Sequence, residues 1–281
     1  MRKLIFILMI AIVPISGCSE RAPPTKEARY LLADMATSGN NLESYRFVTE
    51  TVQKIEGLTT SIEPSELEIK SLEEGDFNLS ALNMRISINR TVRSGAEDVS
   101  SMDQEVYVIE DVAKFKVDDV WSQAALQDPE DFWTSQNIAK ELERLLKSSQ
   151  LEYSGSEILS GEDCSRIDVL PDRRAYETIL AEQLGSMLPL AYLNITDLYE
   201  ESSVNWTLWI SEDSGLPMME IVNIKFSVTP EMMELPYDLI KDFMIKVEMT
   251  TTTRYGDYNR PLGVKLPEGQ RIEPMFSCAC G

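Results

Sequence analysis

Histidine is absent from all 281 residues. Without it the Ser-His-Asp and Cys-His nucleophile sets are unavailable, and so is the commonest neutral ligand for zinc. Basic residues are scarce too: 26 lysines and arginines face 47 aspartates and glutamates, a formal net charge of -21. Phosphate backbones need a basic footprint, so nucleic acid is not the expected partner. The chain has no glycine-rich phosphate loop, since Gly155-Ser156-Glu157 lacks the spacing of one. It has no internal repeat, no low-complexity tract and no stretch that reads as an interdomain linker. Paired carboxylates such as Asp118-Asp119, Glu73-Glu74 and Glu200-Glu201 are what so acidic a chain produces at solvated turns. The acidic stretch holding Asp118, Asp119, Asp128, Glu130 and Asp131 does not reproduce an EF-hand loop. The expectation is therefore no catalytic residue, no cofactor and no metal.

The N-terminus carries the strongest local signal. Met1-Arg2-Lys3 is a short basic region, Leu4 to Val13 is an apolar run too short to span a bilayer as a mature helix, and Ile15-Ser16-Gly17-Cys18 follows. This resembles prokaryotic lipoprotein signal peptides, in which the cysteine is lipidated and becomes the first mature residue. Residues 1–17 are then a signal peptide, Cys18 is the membrane anchor, and 18–25, containing Pro23-Pro24, is a short tether. The expected location is the outer face of the cytoplasmic membrane, in the cell envelope. An ordinary secretory leader with an incidental cysteine is the other reading. Outside the cytoplasm a disulfide is allowed, so Cys164 could pair with Cys278 or Cys280 and pin the C-terminal tail. A Cys-x-Cys metal clasp and unpaired thiols are the alternatives.

From Val204 to Gly269 the chain reads as three antiparallel strands. Val204, Trp206, Leu208 and Ile210 share one face; Val222, Ile224, Phe226 and Val228 share the next; Phe243, Ile245, Val247 and Met249 share the third. Gly215 and Pro217 mark the first turn. Upstream, an amphipathic helix is expected from Lys26 to about Ser38, then a strand in which Tyr45, Phe47, Thr49 and Thr51 alternate with Arg46, Val48, Glu50 and Val52. After an acidic segment, Leu82, Met84, Ile86 and Ile88 alternate in the same way. Gln104 to Trp121 reads as a hairpin, Asp131 or Thr134 opens a helix carrying Ile138, Leu142, Leu145 and Leu146, and two strands precede a helix from about Arg173 to Leu188. The order suits one antiparallel sheet with helices laid on one face. Acceptor tripeptides for N-glycosylation begin at Asn78, Asn89, Asn194 and Asn205.

The inward faces are large and soft. Met84, Phe115, Trp206, Phe226, Phe243 and Met249, with Met35, Leu142, Leu184 and Met187 on the helices, either fill a core or line a pocket.

Several segments bear on that choice. Gln104 to Trp121, with Val106-Tyr107-Val108, Lys114-Phe115-Lys116-Val117 and Trp121, is similar to the hairpin of the LolA-like and LppX/LprG-like lipoprotein carriers. Asn205-Trp206-Thr207-Leu208-Trp209-Ile210 followed by Ser214-Gly215-Leu216-Pro217 resembles their later Trp strand and Gly-Leu-Pro turn. Tyr255-Gly256-Asp257-Tyr258-Asn259-Arg260-Pro261, closing on Leu266-Pro267-Glu268, resembles their terminal strand. The resemblance implies an α+β fold: a strongly curved antiparallel sheet, an incomplete β-barrel, whose concave open face is covered by helices. It further implies an apolar cavity between them that holds a lipid or other hydrophobic small molecule.

Under this reading 26–270 is a single LolA-like domain and 271–281 a cysteine-containing tail. The expected ligand-cavity residues are Met84, Ile86, Phe115, Leu142, Leu184, Met187, Trp206, Leu208, Phe226, Phe243 and Met249. A tethered protein of this kind is a fixed receptor or relay rather than a shuttle, and not an enzyme. The alternative is a glycosylated envelope interaction or sensor protein with a filled core.

Overall fold

The computed structural model describes residues 26–59, 62–95, 97–117, 120–184, 195–232, 243–265 and 273–274. Helix α1 (Lys26–Gly39) leads into four long strands, β1 (Ser44–Thr59), β2 (Ile62–Asn78), β3 (Asn83–Ser94) and β4 (Glu97–Ile109), and then β5 (Val112–Val117) and β6 (Val120–Ala125). Two short helices, α2 (Pro129–Ser135) and α3 (Ile138–Leu146), precede β7 (Gln150–Leu159) and β8 (Glu162–Leu170). After α4 (Arg173–Leu184) and α5 (Ile195–Glu201) come β9 (Ser203–Ser211), β10 (Pro217–Val228), β11 (Phe243–Gly256) and the two-residue β12 (Glu273–Pro274).

The strands form one sheet in the order β12-β6-β5-β4-β3-β2-β1-β11-β10-β9-β8-β7. Every pair is antiparallel except β12 with β6. The expected class, α+β with one antiparallel sheet and helices against one face, therefore holds. The strong curvature and the incomplete barrel do not. Strands add edge to edge in a single open order, and among the described residues nothing pairs β7 with the far end of the sheet. Closure needs repeated bulges or glycine kinks that turn the strands. Here β1 keeps one unbroken register with β11 from Arg46↔Gly256 to Thr59↔Phe243, and its register with β2 shifts only between Gly57 and Thr59. Pairing this long and regular at the centre extends the sheet, and the other register shifts, at Val92/Arg93, Tyr153/Gly155 and Pro217/Met219, occur singly in separate strand pairs.

The two faces differ as the alternation requires. On the outer face ion pairs such as Arg46 with Asp76 and Arg254 with Glu50 are exposed. On the inner face the sheet joins the helices in one core. Ala28, Leu32 and Met35 of α1, Ala139, Leu142 and Leu146 of α3, and Tyr176, Ile179 and Leu180 of α4 pack with Trp206, Leu208, Ile224 and Phe226 of the sheet. Local chemistry sets the helix ends. Asp128 caps α2 by accepting from Asp131 N at 3.1 Å, with Pro129 in the first turn where its missing N–H costs nothing. Asn137 caps α3 through Lys140 N at 3.2 Å, and its Nδ2 donates to Gly39 O at 2.8 Å, tying α3 to the end of α1. The end of α1 also meets the β9–β10 turn: Ser38 Oγ donates to Ser214 O at 2.6 Å, and Gly215 there has φ +69°, with no room for a Cβ beside Ser38 Oγ.

Candidate functional site

Between the inner face and the helices lies a cavity of about 500 Å³. Its floor is built by register. Glu73 on β2 stands opposite Thr49 on β1, Thr49 opposite Thr253 on β11, and Thr253 opposite Glu220 on β10. These four side chains form one row across four adjacent strands, and all four line the cavity. The Thr49 and Thr253 hydroxyls are 3.0 Å apart, and a second hydroxyl pair, Thr51 and Thr251, lies 3.1 Å apart in the next row. Aromatic rings stand beside the row: Tyr45 stacks on Phe77 at 4.9 Å, Phe47 tilts against Phe77 at 5.7 Å, and Tyr255 and Trp206 close the far side. Ile138, Leu142 and Leu145 of α3 and Ile179 of α4 form the helical wall. Tyr45 spans the space to the helix side, its hydroxyl donating to Gln136 O at 2.8 Å.

The carboxylates are in a low-dielectric setting. Trp206 Nε1 donates to Glu220 Oε2 at 3.1 Å and Tyr255 Oη to Glu220 Oε1 at 2.5 Å. Burial nevertheless raises the Glu220 carboxyl above the usual carboxylate range, against the opposing effect of these donors and of Thr253. Burial also raises Glu73, partly offset by the charge of Arg90. The Tyr255 and Tyr45 hydroxyls are pushed well up for the same reason, burial coming first in both. Glu141, the third carboxylate at the cavity, is ion-paired with Arg144 one helical turn away.

Three strand spacings separate Glu73 from Glu220, about 14 Å along the row. Paired acid and base carboxylates of glycosidases stand about 5–10 Å apart. Among the described residues no group of three or more His, Cys, Asp or Glu could hold a metal ion.

Of the expected cavity residues, Ile86, Leu142 and Trp206 line this space. Met84, Leu208, Phe226 and Met249 are buried in the core around it, and Phe115 is packed against that core. Met187 and the side chains of Leu184 and Phe243 lie outside the described residues. So do Cys18, Cys278, Cys280 and Asn194. Cys164 is buried on β8, and burial raises its thiol. Asn205 is exposed. Asn89 donates to Asp103 Oδ1 at 2.6 Å, and Asn78 is engaged in the turn that follows β2, accepting from Ala81 N and donating to Leu262 O. The Thr49, Glu73, Glu220 and Thr253 row was not anticipated as a site. The alternation did place Thr49 with Tyr45 and Phe47, but nothing in the sequence pairs residue 73 with residue 49.

No family model and no curated protein sequence matches the chain. Among solved structures it is similar to LprF from Mycobacterium bovis, at 12% identity and a TM-score of 0.44, covering 88% of this chain and 100% of that one. It is also similar to the lipoprotein LppX from Mycobacterium tuberculosis, at 13% identity and a TM-score of 0.35, covering 84% and 99%. A LolA superfamily protein from Nitrosomonas europaea follows at 12% identity and a TM-score of 0.23, covering 85% and 94%. At such identities and scores a likeness fixes neither a residue's role nor a ligand.

Proposed function

We propose that this protein is a non-catalytic, extracytoplasmic binding protein that holds a hydrophobic small molecule between its helix layer and the inner face of its sheet, tethered to the membrane through lipidated Cys18. The observation that carries this reading is the cavity itself. A volume of about 500 Å³ within the main hydrophobic core is in the range of small-molecule pockets, about 300–1,000 Å³. The walls formed by Phe47, Phe77, Ile86, Leu142, Leu145 and Ile179 suit an apolar chain or ring. Each methylene moved there from water contributes roughly 0.8 kcal/mol, so affinity needs few polar contacts. The separation of Glu73 and Glu220 and the Arg144 partner of Glu141 favour binding over carboxylate catalysis.

Native mass spectrometry on protein truncated after Cys18, so that it carries no anchor, and purified from its own host without detergent tests the reading. A stoichiometric hydrophobic adduct is expected, and Ile86→Trp, which fills the cavity from a half-buried wall position, removes it. A clean apo mass together with failure to take up a fluorescent lipid overturns the reading in favour of a filled-core envelope protein that works through its surface.

A further inference from the structure

The row that floors the cavity has a sign. Glu73, Glu141 and Glu220 line it, and among the described residues no lysine or arginine does. Glu141 is paired with Arg144, and Arg90, opposite Ser71 on the same face, stands diagonally from Glu73 and offsets its charge in part. Glu220 accepts from Trp206, Tyr255 and Thr253 but keeps acceptor capacity, since a carboxylate has about four lone-pair sites. Glu73 has no hydrogen-bond or ion-pair partner among the described residues, although it is half-buried and faces the cavity. Phe47, Phe77, Tyr255 and Trp206 line the same space. Aromatic rings attract cations through the negative potential of their faces, and most strongly where water is excluded. A neutral lipid would leave Glu73 desolvated with only the partial offset of the Arg90 charge, and an anionic one would add repulsion.

Resting on the binding reading above, we infer that the ligand is a lipophilic cation: an apolar chain or ring system carrying a protonated or quaternary amine. The apolar part lies along Ile86, Leu142 and Ile179, and the ammonium sits over the Glu73–Thr49–Thr253–Glu220 row among the aromatic rings. The two threonine hydroxyls accept from N–H groups of a protonated amine, whereas a quaternary amine relies on the rings and carboxylates alone.

Isothermal titration of purified protein with dodecyltrimethylammonium, dodecanol and dodecyl sulfate, each below its micelle-forming concentration, separates the outcomes. The ammonium probe is expected to bind at least about tenfold more tightly than the alcohol, equivalent to about 1.4 kcal/mol, with the sulfate weakest. The preference must persist at about 0.15 M salt, where the field of the acidic surface is largely screened. Glu73→Gln, which orphans no donor, must reduce the preference for ammonium while leaving dodecanol binding unchanged, and Glu220→Gln must reduce it further. Equal binding of the three probes, tightest binding of the sulfate, or an ammonium preference that survives Glu73→Gln overturns the inference and leaves the carrier reading standing. Binding of none of the three overturns both.

Discussion

Glu220 is the residue on which the electrostatics of the cavity turn. Its folded carboxyl is raised above the usual value of 4.5, first by burial. A raised carboxyl contributes its full stability below the unfolded value and loses it as pH climbs through the folded one, because only the folded state resists ionisation. Replacing Glu220 by Gln removes that dependence. The melting temperature of Glu220→Gln relative to the parent is therefore expected to rise as pH increases from about 4.5. A difference that stays flat with pH would show that Glu220 ionises as easily folded as unfolded. Gly75 offers a second test at this scale. It lies opposite Phe47 across β1 and β2, and a Cβ there would come 2.1 Å from the Phe47 ring. Gly75→Ala must push that ring toward the cavity, at a cost of about 1–3 kcal/mol in chemical denaturation. An unchanged denaturation midpoint would mean that the ring moves aside freely.

Among the elements, the junction of α1 with α3 holds the helical wall in place. Asn137 serves both helices, capping α3 at Lys140 N and donating to Gly39 O at the end of α1. Asn137→Ala removes the cap and leaves the buried Gly39 carbonyl with only the longer bond from Leu42 N at 3.3 Å, so a loss of about 1–2 kcal/mol is expected. Asn137→Asp keeps the cap but loses the shorter of the two bonds to Gly39 O and sets a carboxylate against that carbonyl, so it is expected to be destabilised as well. Urea midpoints of the two variants measure this, and a neutral Asn137→Asp would sink the claim that the Gly39 contact matters. The same junction explains a misreading of the sequence. The sequence reads as a single helix from Asp131 or Thr134 through Leu146, but the helix stops after Ser135 and restarts at Ile138, because Asn137 acts as a new cap. Strand β2 reads in the sequence only as an acidic segment. Its inward positions include Ser71, Glu73 and Gly75, which break the apolar half of the alternation that marks a strand.

For the whole molecule, the excess of acidic over basic side chains sets the response to salt. The ion pairs on the outer face are exposed and each is worth little. Repulsion from a net charge of -21 then outweighs them. The melting temperature should rise between about 0.01 and 0.15 M sodium chloride, as the screening length contracts. A fall over that range, followed by differential scanning fluorimetry, would mean that the surface pairs dominate. The sheet is open rather than barrel-like, so the cavity owes its enclosure to the helix layer, and changes at α3 should reach the site more strongly than changes at the edge strand β7.

The amino-acid order by itself determined which faces of β1, β3, β9, β10 and β11 turn inward, since side-chain direction in a strand has a period of two and each residue reports its own face. It also determined where α1 lies, and that histidine chemistry is unavailable. The cavity floor was decided only by tertiary structure. Thr49, Glu73, Glu220 and Thr253 are scattered over two hundred positions of sequence and become one row only through the registers of β2, β1, β11 and β10. Register is set by long-range pairing and by burial of a shared face, and no local pattern encodes it. The openness of the sheet has the same origin: each strand could be read alone, whereas the order in which strands join, and whether the ends meet, is a property of the assembled sheet.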